Sequence, residues 1–431
     1  MSAQGNITPR GWCPGVRRPM ATGDGLLVRL HPFGGRLSAD QARLIAQAAA
    51  EHGNGHLDIT ARGNLQIRGV SDDTYPALLA FLDREGLAEP EGDSPNRLTV
   101  LSPLAGLDPL EGFDALALAQ AIENAAGAAE GLPAKFFVAV DGGGAMPLDT
   151  VGADLHLVAT GDEAVAFGVP SPGGLHWIGE ASLARAPDAV RIILSGFADM
   201  RRMNRTEARR LRDLEPDLVR GLTARAALAP AAAPPRRPAA SRAGILPLDS
   251  GQAVLLALPF GRCSAEQLSR AAAWSERFGS GEIRLSFTRG VLLPMIAEEH
   301  VTALLDEASL AGFMTDPADA RLSLIACPGK PDCGSALTSA PADALQIAES
   351  CSNVLKAGVS LHVSGCPKGC AHPGKADLTL VSRHDGRYDI VANGSTRDAA
   401  SIHLSIDEIM SRLLPVKTVD DLRRAFPEGS Q

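Results

Sequence analysis

Two cysteine pairs lie in one stretch of the chain, Cys327-Pro-Gly-Lys-Pro-Asp-Cys333 and Cys366-Pro-Lys-Gly-Cys370. Pro328 and Pro331 disfavour a helix between the cysteines of the first pair, and Gly369 allows a tight bend within the second. A [4Fe–4S] cluster takes four thiolates that converge from different directions, and two pairs on facing loops can supply them. The sequence therefore predicts a [4Fe–4S] cluster bound by Cys327, Cys333, Cys366 and Cys370.

Three other uses of these thiols remain open at this stage. Structural zinc most often takes pairs with two or four intervening residues, whereas these pairs have five and three. Disulfides require an oxidising compartment, and the first 25 residues show no apolar segment typical of a signal peptide. Buried structural thiols would rarely gather in two loops rich in Gly and Pro. The cluster is the interpretation that fits the spacing best.

The composition is that of a globular protein, with 431 residues, 45% of them hydrophobic and 21% charged. This length is sufficient for about two to four domains. The net charge of −9 argues against a nucleic-acid partner. No apolar run of about 18 residues occurs, so we expect no membrane span and a cytoplasmic location.

The sequence also contains an internal repeat, whose two copies are separated by a Pro/Ala-rich linker at residues 229–241. In each copy a predicted strand (26–30 and 254–258) precedes a serine, Ser38 or Ser264, that can cap the next helix. These two helices are predicted to end near Gly53 and Gly279. The remaining predicted elements are strands at 57–63, 283–290, 135–140 and 359–363, and helices near 74–85, 298–311, 114–128 and 341–356. Such a repeat indicates a duplicated, pseudo-two-fold molecule.

The first copy has no cysteines in the matching loops. Ser102-Pro-Leu-Ala-Gly-Leu-Asp108 stands where the second copy has the first pair, and Val140-Asp-Gly-Gly-Gly144 stands where it has the second. One lobe is therefore expected to hold the cluster, and the other to present a similar loop with different chemistry.

The chain resembles the nitrite/sulfite reductase family over nearly its whole length. The resemblance rests on the cysteine spacing and on Ile59-Thr-Ala-Arg-Gly-Asn-Leu-Gln66, which is similar to a strand with which the family contacts tetrapyrrole carboxylates. It implies an α+β fold with a [4Fe–4S] cluster next to sirohaem. The implied parts are two ferredoxin-like halves at 1–88 and 242–315, a cluster-free lobe at 89–228 and a cluster-bearing lobe at 316–431.

The start of the chain, Gly11-Trp-Cys-Pro-Gly15 and residues 19–29, resembles one branch of this family more closely. That branch oxidises a tetrapyrrole, precorrin-3A, with O2, and is described with a mononuclear non-haem iron beside the cluster. The chain has no dinucleotide fingerprint, so electrons are expected from an external donor, either ferredoxin or a separate NAD(P)H-dependent reductase. The alternative is a ferredoxin-dependent sulfite or nitrite reductase that binds sirohaem.

One sequence difference from the reductases helps to distinguish the precorrin-oxidising branch from a sulfite or nitrite reductase. Lys135 matches a lysine that the reductases place over the sirohaem iron, but the second lysine that they usually carry two residues later is Phe137 here. Paired lysines can bind an anion and deliver protons, so the loss of one favours the precorrin-oxidising branch.

Basic residues are the expected ligands of a tetrapyrrole, because arginine binds carboxylates in a bidentate manner. Thr60, Arg62, Asn64 and Gln66 would share one face of the predicted strand. Arg289-Gly290 takes the place of Arg62-Gly63 in the second copy. A solvated strand face and a surface ion pair are the alternatives for Arg62 and Arg97. Arg62, Arg97 and Lys135 are expected to act at the reaction centre, in a cleft near Cys370; the expected substrate-binding residues are Arg29, Thr60, Arg62, Asn64, Gln66 and Arg289.

Overall fold

The computed structural model describes residues 13–90, 97–126, 131–372, 374–400 and 402–427. Gly11 and Trp12 of the N-terminal motif lie outside the described residues. Within these ranges the chain forms four five-stranded sheets and eleven α-helices. None of these helices is both long and apolar enough to cross a membrane.

The first copy of the repeat contributes ten strands and five helices. In chain order they are β1 (Met20–Thr22), β2 (Gly25–Leu30), β3 (Arg36–Ser38), α1 (Ala39–His52), β4 (His56–Ile59), β5 (Leu65–Val70), α2 (Tyr75–Arg84), β6 (Thr99–Leu101), α3 (Ala115–Ala126), β7 (Val138–Asp141), β8 (Leu155–Ala159), β9 (Ala164–Ser171), β10 (Gly174–Ser182), α4 (Ala186–Arg202) and α5 (Pro216–Arg225).

The second copy contributes ten strands and six helices. They are β11 (Gly244–Pro247), β12 (Gln252–Ala257), β13 (Arg262–Ser264), α6 (Ala265–Phe278), β14 (Glu282–Leu285), β15 (Gly290–Ile296), α7 (Glu298–Leu310), β16 (Leu324–Ala326), α8 (Ala340–Ser350), α9 (Ser352–Lys356), β17 (Leu361–Ser364), β18 (Ala376–Ser382), β19 (Tyr388–Gly394), β20 (Ile402–Leu404), α10 (Ile406–Leu413) and α11 (Val419–Ala425).

The predicted α+β fold and its duplication are confirmed, but the strands predicted at 57–63 and 283–290 end earlier, at Ile59 and Leu285. Ser38 and Ser264 both cap their helices, and in each case the glutamine at the third helical position completes a capping box. One predicted helix, at 341–356, is wrong as a single element, because it breaks at Cys351 into α8 and α9.

The two ferredoxin-like halves exchange edge strands. β13 of the second copy pairs with β4, and β3 of the first copy pairs with β14, both antiparallel. The sheet orders are therefore β1-β2-β5-β4-β13 (the first sheet) and β11-β12-β15-β14-β3 (the second sheet). One hydrophobic core serves both sheets, with residues such as Leu57 and Ile283 buried in it and α1 packed against α6. The exchange fixes the two copies relative to each other.

The two lobes are built alike. In the first lobe β6, β7 and β8 run parallel and β9 and β10 extend the sheet antiparallel; β16 to β20 repeat this arrangement in the second lobe. The first lobe packs on the second sheet through an apolar cluster that includes Phe137, Ala139, Leu255 and Leu292.

The 229–241 linker is docked on the first lobe. Ala229 forms a bridge with Glu180, and Arg237 makes two hydrogen bonds to the buried carboxylate of Asp141, at 2.8 and 2.6 Å. Asp141 also accepts the backbone N–H of Gly143 and Leu148, so its carboxylate ties the linker to the loop after β7.

Replacing Arg237 by Gln should lower the free energy of unfolding by about 2 kcal/mol, because it leaves a buried carboxylate without its counter-charge. The matched control is Arg236→Gln at the neighbouring, exposed arginine, which should change the same quantity by less than about 0.5 kcal/mol. Urea unfolding measures both. Equal losses in the two variants would contradict the docking of the linker.

Candidate active site

The two cysteine pairs follow adjacent parallel strands. Cys327 comes directly after β16 and Cys366 closely after β17, and β16 pairs with β17. The carboxyl ends of parallel neighbours meet at one edge of a sheet, so the two pairs face each other there. Cys327 and Cys366 are buried, Cys333 is half-buried and Cys370 is exposed.

The four thiols lie within electrostatic range of one another. Although Cys370 is exposed as a residue, the protein around its thiol keeps water away and raises its pKa, and the charges of Cys366, Cys333 and Cys327 also raise it. Burial likewise raises the pKa of Cys327, while a hydrogen bond from the Gly365 N–H, at 3.1 Å, opposes that rise. Amide donors of this kind tune the sulfur ligands of iron–sulfur clusters.

The surroundings of these thiols fit a cluster. A Cβ on Gly365 would lie 2.7 Å from the Cβ of Ala336, so only glycine lets the segment after Cys333 pack against the second cysteine loop, where the Sγ of Cys327 lies 3.4 Å from the same position. Among the described residues, no group of three His, Cys, Asp or Glu side chains is arranged around a single metal ion. A [4Fe–4S] cube needs no such group, because each iron takes one thiolate. The described residues therefore contain no preformed group of ligands for the mononuclear iron that the resemblance predicts.

Arg62 does not lie on a strand, and this corrects the sequence prediction. β4 ends at Ile59 and β5 begins at Leu65. Between them the chain turns: the Thr60 N–H donates to the Asn64 carbonyl at 2.9 Å, and the Thr60 Oγ1 accepts the N–H of Arg62 and Asn64. Thr60 and Asn64 therefore shape the turn that presents Arg62.

The proposed match between Arg62 and Arg289 is also wrong by one position. Ile59 pairs with Leu65, and Leu285 pairs with Val291, so both turns contain five residues. Arg289 then corresponds to Gly63, and both adopt a left-handed backbone with φ of 68° and 65°. Arg289 donates to the carbonyl of Ala371, next to Cys370, and so belongs to the cysteine site.

Three arginines converge on His31, which is 8% exposed. Burial, together with the charges of Arg29, Arg97 and Arg62, lowers the pKa of His31 to about 3. Arg97 donates to the His31 carbonyl at 3.3 Å, and Arg29 donates to the Sγ of Cys13 at 3.4 Å. The Nε–H groups of Arg29 and Arg97 are buried and have no hydrogen-bond partner among the described residues. The two groups can each donate to the carboxylate of a bound ligand.

Gln66 lies in a polar row that crosses the first sheet. Its Cα partners are Arg29 on β2 and Asp58 on β4, and Asp58 in turn pairs with Arg262 on β13. The row lies on the face opposite the hydrophobic core, since Leu65 and Ile67, the neighbours of Gln66, are in that core. The row begins at the arginines around His31 (Arg29, Arg62 and Arg97), which we call the arginine pocket. It ends near the cysteine loops.

Lys135 and Phe137 differ in exposure and in the contacts that their side chains make. Lys135 is exposed, and its ammonium group makes no hydrogen bond or ion pair with any described residue; only its carbonyl is bound, by Arg210. Phe137 is 3% exposed, and the guanidinium carbon of Arg62 lies 3.9 Å from its ring centroid. Phe137 thus supports Arg62 by a cation–π contact and does not itself present a surface to a ligand.

A histidine near the cysteines was not predicted as functional. His362 on β17 is fully buried, and neither ring nitrogen has a partner among the described residues. Burial, together with the charges of His372 and Arg289, lowers its pKa to about 4. Its ring centroid lies 5.6 Å from that of His372. No spacing in the sequence predicts this contact, because the two rings come together only in the folded lobe.

The structure has a cavity of about 570 Å³ that is lined by His31 and Arg97 but not by Arg62, Lys135 or the cysteines. Pro90 and Arg97 line it and border residues 91–96, which are not described. It therefore does not define the predicted cleft.

The chain is similar to several proteins of known activity. The family model described as "Nitrite/Sulfite reductase ferredoxin-like half domain" matches residues 18–84 and 248–310. The chain is 32% identical to precorrin-3B synthase of Sinorhizobium sp, over 91% of this chain and 85% of that protein. It is 30% identical to ferredoxin–nitrite reductase of Synechococcus elongatus, over 86% and 79%. The fold matches that of the NirA protein of Mycobacterium tuberculosis with a TM-score of 0.72, at 22% identity, over 90% of this chain and 79% of that one.

The lowered pKa of His31 predicts a pH dependence of stability. Between pH 6.5 and about 3, His31 binds a proton in the unfolded protein but not in the folded one. The free energy of unfolding is therefore unaffected by this group above pH 6.5 and decreases as the pH falls below that value. His31→Gln should reduce the slope of unfolding free energy against pH, between about pH 6 and pH 5, by about 1 kcal/mol per pH unit. The control, His176→Gln at an exposed position on β10, should keep the wild-type slope. An unchanged slope in His31→Gln would contradict the buried, neutral His31.

Proposed function

This chain belongs to the nitrite/sulfite reductase family, and we propose that within it the protein catalyses the reaction of a precorrin-3B synthase. The proposed reaction is the O2-dependent hydroxylation of precorrin-3A at C20, with closure of a γ-lactone by a neighbouring acetate, in aerobic cobalamin biosynthesis. The relatives named above are oxidoreductases, and the 32% identity over nearly the whole chain supports the assignment to this branch.

The observation that carries the proposal is the pairing of Arg62 with Phe137. A reductase of sulfite or nitrite needs cationic donors over its anion, and a buried phenyl ring occupies the position where the family usually has its second lysine. Arg62 lies over that ring, and burial lowers its pKa to about 10, so it stays protonated near neutral pH. A charged arginine on an apolar support suits a large, carboxylate-rimmed ring better than a small inorganic anion.

The arginine pocket supports a tetrapyrrole ligand. The buried, unpartnered Nε–H groups of Arg29 and Arg97 carry a desolvation cost that a ligand carboxylate would offset. His31, neutral at physiological pH, adds no competing charge. These residues would bind and orient the substrate, and the surrounding sheet would exclude water.

Cys327, Cys333, Cys366 and Cys370 would hold the [4Fe–4S] cluster, which when bound supplies single electrons. In the overall reaction one oxygen atom of O2 enters the product at C20 and the other leaves as water, with two electrons and two protons drawn from outside. The chain's part is to place the macrocycle carboxylates with Arg29, Arg62 and Arg97.

The external electron donor is proposed to be acidic. Three of the six lysines in the chain are exposed in or beside the cysteine loops: Lys330 and Lys368 lie between the paired cysteines, and Lys375 follows the second pair. Most of the basic residues elsewhere are arginines. Exposed ammonium groups around the cluster loops would favour the approach of a negatively charged donor such as ferredoxin, or of a separate NAD(P)H-dependent reductase with an acidic surface.

The second candidate is a ferredoxin-dependent sulfite or nitrite reductase. The 30% identity to the Synechococcus elongatus nitrite reductase favours it, and the same arginines could hold the carboxylates of sirohaem. The two candidates differ in what fills the pocket: a resident sirohaem or a substrate that leaves after reaction.

We expect anaerobically purified protein to contain about four irons and four acid-labile sulfides per chain. Cys366→Ser should abolish the broad visible absorption, because an alkoxide is a poor ligand for the cluster iron. Cys351→Ala is the matched control, since Cys351 is equally a buried cysteine in the same lobe but lies away from the two loops. Stoichiometric zinc without labile sulfide would overturn the cluster assignment.

We expect the protein, supplied with precorrin-3A, a reductant and isotopically labelled O2, to place one labelled oxygen in the product. Arg62→Leu should weaken binding of precorrin-3A by about 2–4 kcal/mol, because a ligand carboxylate loses its buried partner. Arg270→Leu, at an exposed ion pair on α6, is the control and should bind as wild type does. A sirohaem Soret band with turnover of sulfite or nitrite, and an unchanged precorrin, would transfer the assignment to the second candidate.

A further inference from the structure

A buried network of charged side chains joins the first sheet to the first cysteine loop. Its members are Asp24, Asp58, Arg68, Arg262 and Asp332. We propose that this network holds the loop that carries Cys333 in position for the cluster, so that Arg68 and Arg262 are positioning residues for an iron–sulfur ligand that they do not touch. The inference rests on the cluster assigned under the proposed function.

Arg68 on β5 is the innermost member, at 3% exposed. Its Nε and Nη2 donate to the two carboxylate oxygens of Asp24 at 3.2 and 2.8 Å. The same Nη2 donates to the backbone carbonyl of Asp332 at 2.6 Å. Because Asp332 directly precedes Cys333, a side chain of the first copy fixes the backbone beside a proposed cluster ligand in the second copy.

Arg262 makes the second connection to this loop. It lies on the exchanged strand β13, where its Nε and Nη2 donate to Asp58 at 2.7 and 3.2 Å. Its Nη1 donates to the carboxylate of Asp332. The loop is therefore attached at Asp332 by two contacts. Arg68 binds the backbone carbonyl of this residue, and Arg262 binds its carboxylate.

Close backbone packing completes the attachment. A Cβ on Gly23, in the turn between β1 and β2, would lie 2.5 Å from the N of Gly334, 2.6 Å from the carbonyl oxygen of Pro331 and 2.7 Å from the carbonyl carbon of Cys333. No residue larger than glycine fits there without moving the loop. Asp24, the next residue, is the anchor of Arg68.

The desolvation free energy of these buried charges suggests that the network does more than stabilise the fold. Burying charged pairs requires their desolvation, and well-packed apolar residues of similar size would often be as stable or more so. What charged pairs add is direction: a guanidinium fixes both the distance and the orientation of the groups that it binds. Residues outside the ligand shell that orient metal ligands commonly change metal affinity about 10–100-fold when mutated.

The contact with the lobe that lacks cysteines supplies a matched control. Arg284 of the second copy, on β14, is also 3% exposed, and its Nη1 donates to the carbonyls of Pro103 and Ala105, in the first-copy loop that matches the first cysteine loop. That loop carries no thiols. Loss of Arg284 removes the same kind of buried contact from the lobe without cysteines, so it reports the structural effect alone.

The test compares the whole protein with the variants Arg68→Gln, Arg262→Gln, Arg262→Lys and Arg284→Gln after anaerobic cluster reconstitution. Two quantities are measured: the half-time of cluster loss to an iron chelator, and the reduction potential from an EPR-monitored titration. Arg68→Gln and Arg262→Gln should lose the cluster about tenfold faster than wild type or more, and should shift its potential. Arg262→Lys should recover part of the lifetime, because one ammonium can still reach a carboxylate. Arg284→Gln should match wild type in both.

Equal lifetimes and potentials for Arg262→Gln and Arg284→Gln would overturn this inference while leaving the cluster assignment intact. If Arg68→Gln does not fold, the Arg262 variants decide the question, because the Arg262 side chain is 24% exposed and its loss is tolerated more easily. A wild-type protein that binds no cluster would overturn the proposed function, and the inference with it.

Discussion

The arrangement of the molecule depends on the exchange of β3 and β13 between the two ferredoxin-like halves. Each sheet is completed by a strand of the other copy, so neither half can move without breaking a strand pairing. Because both sheets share one core, the arginine pocket of the first copy and the cysteine loops of the second keep a fixed relation. The exchanged strand β13 also brings Arg262 to Asp332, so the contact that joins the copies also reaches the cysteine loop.

Duplication allows the two copies to specialise. The second lobe holds four thiols on two loops, whereas in the first lobe carboxylates stabilise the matching loops: Asp108 accepts the N–H of Ala145 at 2.6 Å, and Asp141 binds Arg237. The interface between the first lobe and the second sheet is largely apolar, and the buried Arg284 crosses it to bind two backbone carbonyls. By contrast, the first sheet meets the cysteine loop of the second lobe through charged side chains. One interface thus serves packing, and the other orients groups around the proposed redox site.

The sequence predicted the repeat, the capping serines and the convergence of the cysteine pairs, because periodicity, caps and short spacings are local signals. It misplaced Arg62, since Thr-Ala-Arg-Gly-Asn alternates like a strand and only the left-handed Gly63 marks the turn. It misaligned Arg289 for the same reason. It could not find Cys13 beside Arg29, or the link from Arg68 to Asp332, because these contacts join residues far apart in the chain. Three-residue exchanged strands carry no pattern that identifies a partner.

The central claim is that a cluster on the second lobe lies next to a tetrapyrrole bound by arginines of the first copy. EPR of the reduced whole protein, recorded with and without saturating precorrin-3A, tests this most directly. We expect a [4Fe–4S]⁺ signal whose g-values shift when the tetrapyrrole binds, because the ligand changes the electrostatic surroundings of a nearby cluster. A cluster signal that stays the same while precorrin-3A is shown to be bound would contradict it.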